Sequence, residues 1–259
     1  MAVDELYERI LGVAFGDDRV CHERLRILHT VLCAESRINM SVLADLSDTD
    51  QDTVKAVVYA LHAVLFVSSK DNCVYWYHTS FPDFLFTQTR AKFRISSLYP
   101  NYPTHEIDVD VFCDASAHHA VLACQCFSIM QELLHFNMCD LDSSYIFDSD
   151  VPELSDRTHK KLTPTLRYAL RSWARYIFRA APAENDTNDL FLRLNDFMSD
   201  KLLFWIEAMN FIDAKFECSP LLKDAEDWLK RVRNIIFYDE TELSQCCPRE
   251  SNRQTCWST

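Results

Sequence analysis

Glycine is nearly missing from this chain: Gly12 and Gly16 are the two in 259 residues. Loops that cradle phosphate need glycine, because the backbone must come close to the ligand with positive φ. No GxxxxGK[ST], GxGxxG or GxSxG pattern occurs. The chain by itself is therefore excluded as a P-loop nucleotide hydrolase, a Rossmann enzyme or an α/β-hydrolase. Long apolar runs are missing too, and none approaches the roughly 18 to 20 residues that a membrane-spanning helix needs. The opening "MAVDELYERILGVAF" places Asp4, Glu5 and Glu8 where an export signal would be basic. An intracellular, cytoplasmic protein with no membrane partner is expected.

Positive charge is also scarce. Lys and Arg total 26 against 39 acids, a formal charge of −13. Affinity for nucleic acid rests largely on cations that neutralise phosphates, so a nucleic-acid partner is disfavoured. The eleven cysteines include no CxxC; the nearest patterns are Cys124-Gln-Cys126 and Cys246-Cys247. Reduced core thiols are the reading, and paired zinc-ligand spacing is lacking.

What is present is a chain that is 48% hydrophobic, enough to bury one large or two modest cores. Asp4 to Phe15 carries Leu6, Ile10, Leu11 and Ala14 at helical spacing. Glu23 to Ala34 repeats the pattern with Leu25, Leu28, Val31 and Leu32. "NMSVLADLS" predicts a short helix with Ser41 as N-cap, and Asp50 to Ala60 another with Val54, Val57 and Val58 on one face. The period then changes. "AVLFVSS" and "CVYWYH", separated by the polar "SKDN", read as a β-hairpin. Helices followed by a hairpin give the order of a winged helix, placed at about 21–95.

Residues 1–20 read as the last helix of a preceding helical subdomain, and 96–238 as an all-α linker domain. Its helices are expected at about 112–136, 164–180, 190–198, 200–212 and 219–238, with Thr163 and Ser219 as N-caps. "RISSLYPNYPTHEIDVDV" reads as a connector, and 239–259 as a disordered tail. The fold class is mainly α, a winged helix with a small hairpin wing ahead of an all-α helical domain.

The densest candidate site is "VYWYHTSFPDFLF", where His78, Ser80 and Asp83 fall within six positions. Catalytic triads converge from separate segments beside an oxyanion hole, so hydrolysis is rejected. Ser80 and Asp83 instead match the S-x-x-[DE] capping box, with Pro82 in the first turn. His78 would then stand at a helix N-terminus, where an anion is favoured. "DLDSSYIFDSDV" begins like a calcium loop but has Tyr145 at the sixth position and Val151 at the twelfth. It reads as a solvated loop. The third helix sets Lys55 against Asp48, Asp50 and Asp52, which speaks against DNA reading.

Tyr77, His78, Ser80, Phe81, Asp83 and Phe84 resemble the aromatic-x-His-x-Ser-Phe-x-Glu/Asp-Phe motif that closes the winged helix of NACHT-type NOD-like receptors. In that family the histidine contacts the β-phosphate of resting-state ADP. A broader likeness, over most of residues 5–230, is to the post-NACHT region of fungal NACHT and WD-repeat proteins. It rests on "LRILHTVLCAES", "ALHAVLFV", "WYHTSFPDFLF", "SSYIFDSDVPELSD" and "LLFWIEAMNFI". The family's Walker A loop, Walker B acids and repeats have no counterpart here, so the chain looks like a middle piece: a truncated paralogue, a split gene or a fragment working in trans.

The resemblance implies a non-catalytic regulatory module packing on a NACHT ATPase core, with His78 as the ADP phosphate sensor. No metal and no cofactor is expected for the isolated chain, ADP or ATP entering only with such a core. The alternative is a helical protein-interaction adaptor with no nucleotide role, with a DNA-binding winged helix a distant third.

Overall fold

The computed structural model describes residues 3–15, 21–96, 106–143, 145–147, 150–181 and 186–246, of which 21, 95–96, 107, 186–188 and 234–246 as backbone only. It is mainly helical, with two small antiparallel two-stranded sheets. Helix α1 (Val3–Phe15) is followed by α2 (Cys21–Cys33), α3 (Met40–Ser47) and α4 (Gln51–Ala60). Strands β1 (Leu65–Val67) and β2 (Val74–Trp76) form the expected hairpin, with Phe66 opposite Tyr75. The short α5 (Ser80–Leu85) leads to β3 (Lys92–Ser96) and β4 (Glu106–Asp110). Beyond them lie α6 (Ala115–Leu133), α7 (Leu154–Lys161), α8 (Pro164–Arg179), α9 (Asp186–Asp196), α10 (Leu202–Phe211) and α11 (Cys218–Cys246).

With so little glycine, other residues take the left-handed backbone positions. Asp48, Asn72, Asn137, Asp140 and Asp213 all have φ between 51 and 55°, and Glu153 has φ 56°. Asn and Asp tolerate this region best among residues with a Cβ, because the short polar side chain can bond locally. Asp48 shows the use: it ends α3 there, its N–H bonding back to the Ala44 and Asp45 carbonyls.

Several local expectations change. Asn39, not Ser41, caps α3, its side chain accepting the Val42 N–H at 2.9 Å. Asp50 caps α4 and Thr163 caps α8 as a Thr-Pro start requires. Ser219 is no cap, because α11 already begins at Cys218 after a 3₁₀ turn. The connector read from "RISSLYPNYPTHEIDVDV" overlaps the end of β3 and contains β4; the alternation of Phe93, Ile95, Ile107 and Val109 with polar and charged residues is a strand pattern. Arg94 pairs across the ribbon with Asp108 at 2.6 Å, and Lys92 with Asp110 at 2.9 Å. Helix α7 has no expected counterpart. The two helices expected at 190–198 and 200–212 are joined through a π turn, Phe197–Lys201, with no break. The expected tail at 239–259 starts too early, since α11 reaches Cys246; residues 247–259 lie outside the described ones.

The core is continuous from α1 to α11. Helix α8 is its axis. Leu166, Ala169, Leu170, Trp173, Ala174, Tyr176 and Ile177 are all fully buried. Trp173 meets Phe127, Phe197 and Trp205 with ring centroids 5.6, 4.8 and 5.8 Å away. The first helices join this core through polar clasps: Glu35 donates its N–H to Tyr168 (3.0 Å) and Tyr176 (3.2 Å), and its buried carboxylate pairs with Arg179. Gln125 donates to the Asp45 carbonyl at 2.8 Å, and Thr30 meets His118 at 3.0 Å.

Candidate functional site

The corner between β2 and α5 carries the residues of interest. Tyr77 is exposed and its ring lies on Phe66, 4.8 Å between centroids. Phe81 and Phe84 are buried and anchor the corner from below. Both meet Tyr7 of α1 edge-on, at 5.3 and 5.5 Å. His78 is exposed. Phe84 is further covered by the Arg90 guanidinium at 5.4 Å, itself paired with Asp4 of α1 at 2.5 and 3.0 Å. That hydrogen bonding holds the Asp4 carboxyl below its usual pKa.

The expected capping box does not form. Thr79 occupies the N-cap position without a side-chain cap bond. Ser80 is already inside the helix, and its hydroxyl is taken by the Tyr7 hydroxyl and by His78 Nδ1, both at 2.7 Å. The capping is done by His78. Its Nδ1 accepts the Ser80 N–H at 3.1 Å, and its carbonyl accepts the Phe81 N–H at 3.1 Å. The first amides of α5 are thus occupied, and α5 is only six residues long. The helix-end attraction for an anion expected at His78 is therefore lost. Any anion contact has to come from the imidazole.

The ring's tautomer follows from these bonds. An Nδ1 that accepts a backbone N–H carries no hydrogen, so in the neutral ring the hydrogen sits on Nε2. His78 thereby offers one N–H donor away from the corner. The Ser80 and His78 contact does not make a catalytic relay, since among the described residues no hydrogen bond joins Asp83 to the ring; Asp83 is exposed and its carbonyl accepts from Thr87 at 2.7 Å.

Tyr7 is the participant that the helical pattern hid. Leu6, expected on the buried face of α1, is 46% exposed, whereas Tyr7 is 5% exposed. Tyr7, Leu11 and Ala14 share a face at i, i+4, i+7, and that spacing, with tyrosine counted as apolar, was the available signal.

Among the described residues no three His, Cys, Asp or Glu side chains gather as a metal ion would require. The cysteines there are free thiols; Cys33, Cys113, Cys126 and Cys139 are buried. Asp140, first in the calcium-like segment, pairs with Lys161 at 3.0 Å. Lys55 of α4 is engaged by Asp52 at 2.8 Å. Among the described residues no helix is long and apolar enough to cross a membrane. No family model, curated protein or solved structure matches the chain.

Proposed function

We propose that the chain is a non-catalytic regulatory module of the NACHT receptor type, whose residues 21–95 are a winged helix and whose His78 donates to a phosphate of ADP held by an ATPase core. The observation that carries this reading is the geometry of His78: exposed, pinned through Nδ1, and left with an outward Nε2–H. The order of α2, α3, α4 and the β1–β2 hairpin supports the winged-helix reading. One hydrogen-bond donor to a charged phosphate contributes only about 1.5–3 kcal/mol. The rest of the nucleotide site must come from the core, in cis or in trans. The helical half, packed on the corner's support through one continuous core, would carry the change between nucleotide state and sensor.

The test is association. The chain binds a NACHT ATPase core more tightly with ADP than without nucleotide, and His78→Ala removes the difference. Nucleotide-independent binding to other proteins would favour the adaptor reading, and steeply salt-dependent binding to duplex DNA the nucleic-acid one.

A further inference from the structure

We propose that Tyr7, acting through Ser80, is a positioning residue for His78, so that the docking of α1 controls whether the imidazole is presented to its ligand; this rests on the phosphate-donor reading above. Three groups lie in one hydrogen-bonded line. Tyr7 Oη is 2.7 Å from Ser80 Oγ, and Ser80 Oγ is 2.7 Å from His78 Nδ1. The direction of donation is fixed by the third bond, the Ser80 N–H to Nδ1 at 3.1 Å. With Nδ1 accepting, Ser80 donates its hydroxyl hydrogen to the ring and accepts the one from Tyr7. The line therefore runs Tyr7 to Ser80 to His78, and ends on an Nε2–H that faces outward.

Only the Tyr7 end of this line is buried and rigid. Its ring is wedged edge-on between Phe81 and Phe84 at 5.3 and 5.5 Å, and the Asp4 to Arg90 pair clamps α1 one turn earlier. His78 itself is exposed, and an exposed ring flips between rotamers on the picosecond to nanosecond scale unless held. Tyr7 is 73 residues from Ser80 in sequence, on a different helix. A displacement of α1 by about 2 Å takes its hydroxyl beyond hydrogen-bonding distance. Ser80 Oγ then loses its donor, and the serine is free to turn away from Nδ1. Nδ1 then keeps only the Ser80 N–H at 3.1 Å, so a shift of α1 is converted into a weaker hold on the exposed His78 ring.

The experiment reads the His78 ring directly in the full chain, by side-chain three-bond couplings and ¹³C relaxation. One rotamer is expected in the wild type. Tyr7→Phe, which keeps the ring packing and removes one oxygen, is expected to average the ring over rotamers, while amide signals of α6 and α8 stay in place. Ser80→Ala cuts the same line in the middle and gives the same averaging; Ser80→Thr keeps the hydroxyl and restores order. A His78 ring that stays in one rotamer in both Tyr7→Phe and Ser80→Ala overturns the proposal. The ADP dependence of binding to a NACHT core is the second arm, expected to fall by about threefold or more in Tyr7→Phe, the scale of one coupled hydrogen bond. If the wild type shows no ADP dependence while the variants still lose ring order, the phosphate reading fails and the relay stands. If ring order is unmoved, the relay fails whatever ADP does.

Discussion

His118 and His119, adjacent on α6 and both buried, make acid the weak point of this protein. Burial is the first cause in each case. It pushes His118 down to about 3, helped by the nearby His29, and His119 down to about 4, with Arg179 adding to it. A histidine whose folded pKa lies below its unfolded value near 6.5 binds fewer protons folded than unfolded. Its stabilising effect is complete above about pH 6.5 and drains away as the pH falls toward the folded pKa. Each group removes about 1.4 kcal/mol per pH unit in that window. Urea unfolding at pH 7 and pH 5 should therefore differ by several kcal/mol, the acid sample being weaker. His119 is the better probe of the pair, because its Nδ1 has no hydrogen-bond partner among the described residues, while His118 bonds Thr30. His119→Phe is expected to flatten the pH slope with little loss at pH 7. At the β2 to α5 corner, His78→Ala removes the acceptor for the Ser80 N–H and should cost about 1 kcal/mol.

Among the elements, α1 is the one whose attachment can be measured by itself. It buries Tyr7, Leu11, Ala14 and Phe15, and Tyr7 closes the corner from one side. Tyr7→Ala should cost about 3 kcal/mol, in the range for a buried aromatic. Hydrogen exchange is expected to show the protection of α1 and α5 falling first, with α6 and α8 retaining theirs. Element order was largely legible from periodicity: α2, α4, the hairpin, α6 and α8 announce themselves by spacing and caps. What escaped did so for physical reasons. Strands β3 and β4 lie either side of a Tyr-Pro stretch that reads as a break, and a strand pair depends on a distant partner that no local pattern names. Helix α7, "LSDRTHKK", buries only Thr158 and so has no apolar stripe to read. The π turn at Phe197–Lys201 keeps a helix going where Ser199 and Asp200 suggest a stop. His78 could be singled out from its motif. The link to Tyr7 could not, because the Tyr7 to Ser80 contact is made only in the tertiary fold. The capping box failed because α5 starts one residue early: Thr79 holds the N-cap position, and the Ser80 hydroxyl is taken by Tyr7 and by the imidazole.

For the molecule as a whole, the core crosses residue 96 without interruption, through Glu35 to Tyr168 and Tyr176 and through Thr30 to His118. Two halves that share a buried interface should unfold together. Trp173→Ala, which empties the meeting point of Phe127, Phe197 and Trp205, is expected to lower stability by about 3–5 kcal/mol in one transition seen alike by circular dichroism and tryptophan fluorescence. Such coupling is what a regulatory module needs, since a shift at the His78 corner can reach α11 only through packed contacts. The measurement that bears most directly on the central claim is the equilibrium binding of this chain to a NACHT ATPase core, titrated with and without ADP. Tighter binding with ADP is expected for the wild type, and no ADP effect in His78→Ala. Equal affinity in both states for the wild type, or an ADP effect that survives His78→Ala, would contradict that claim.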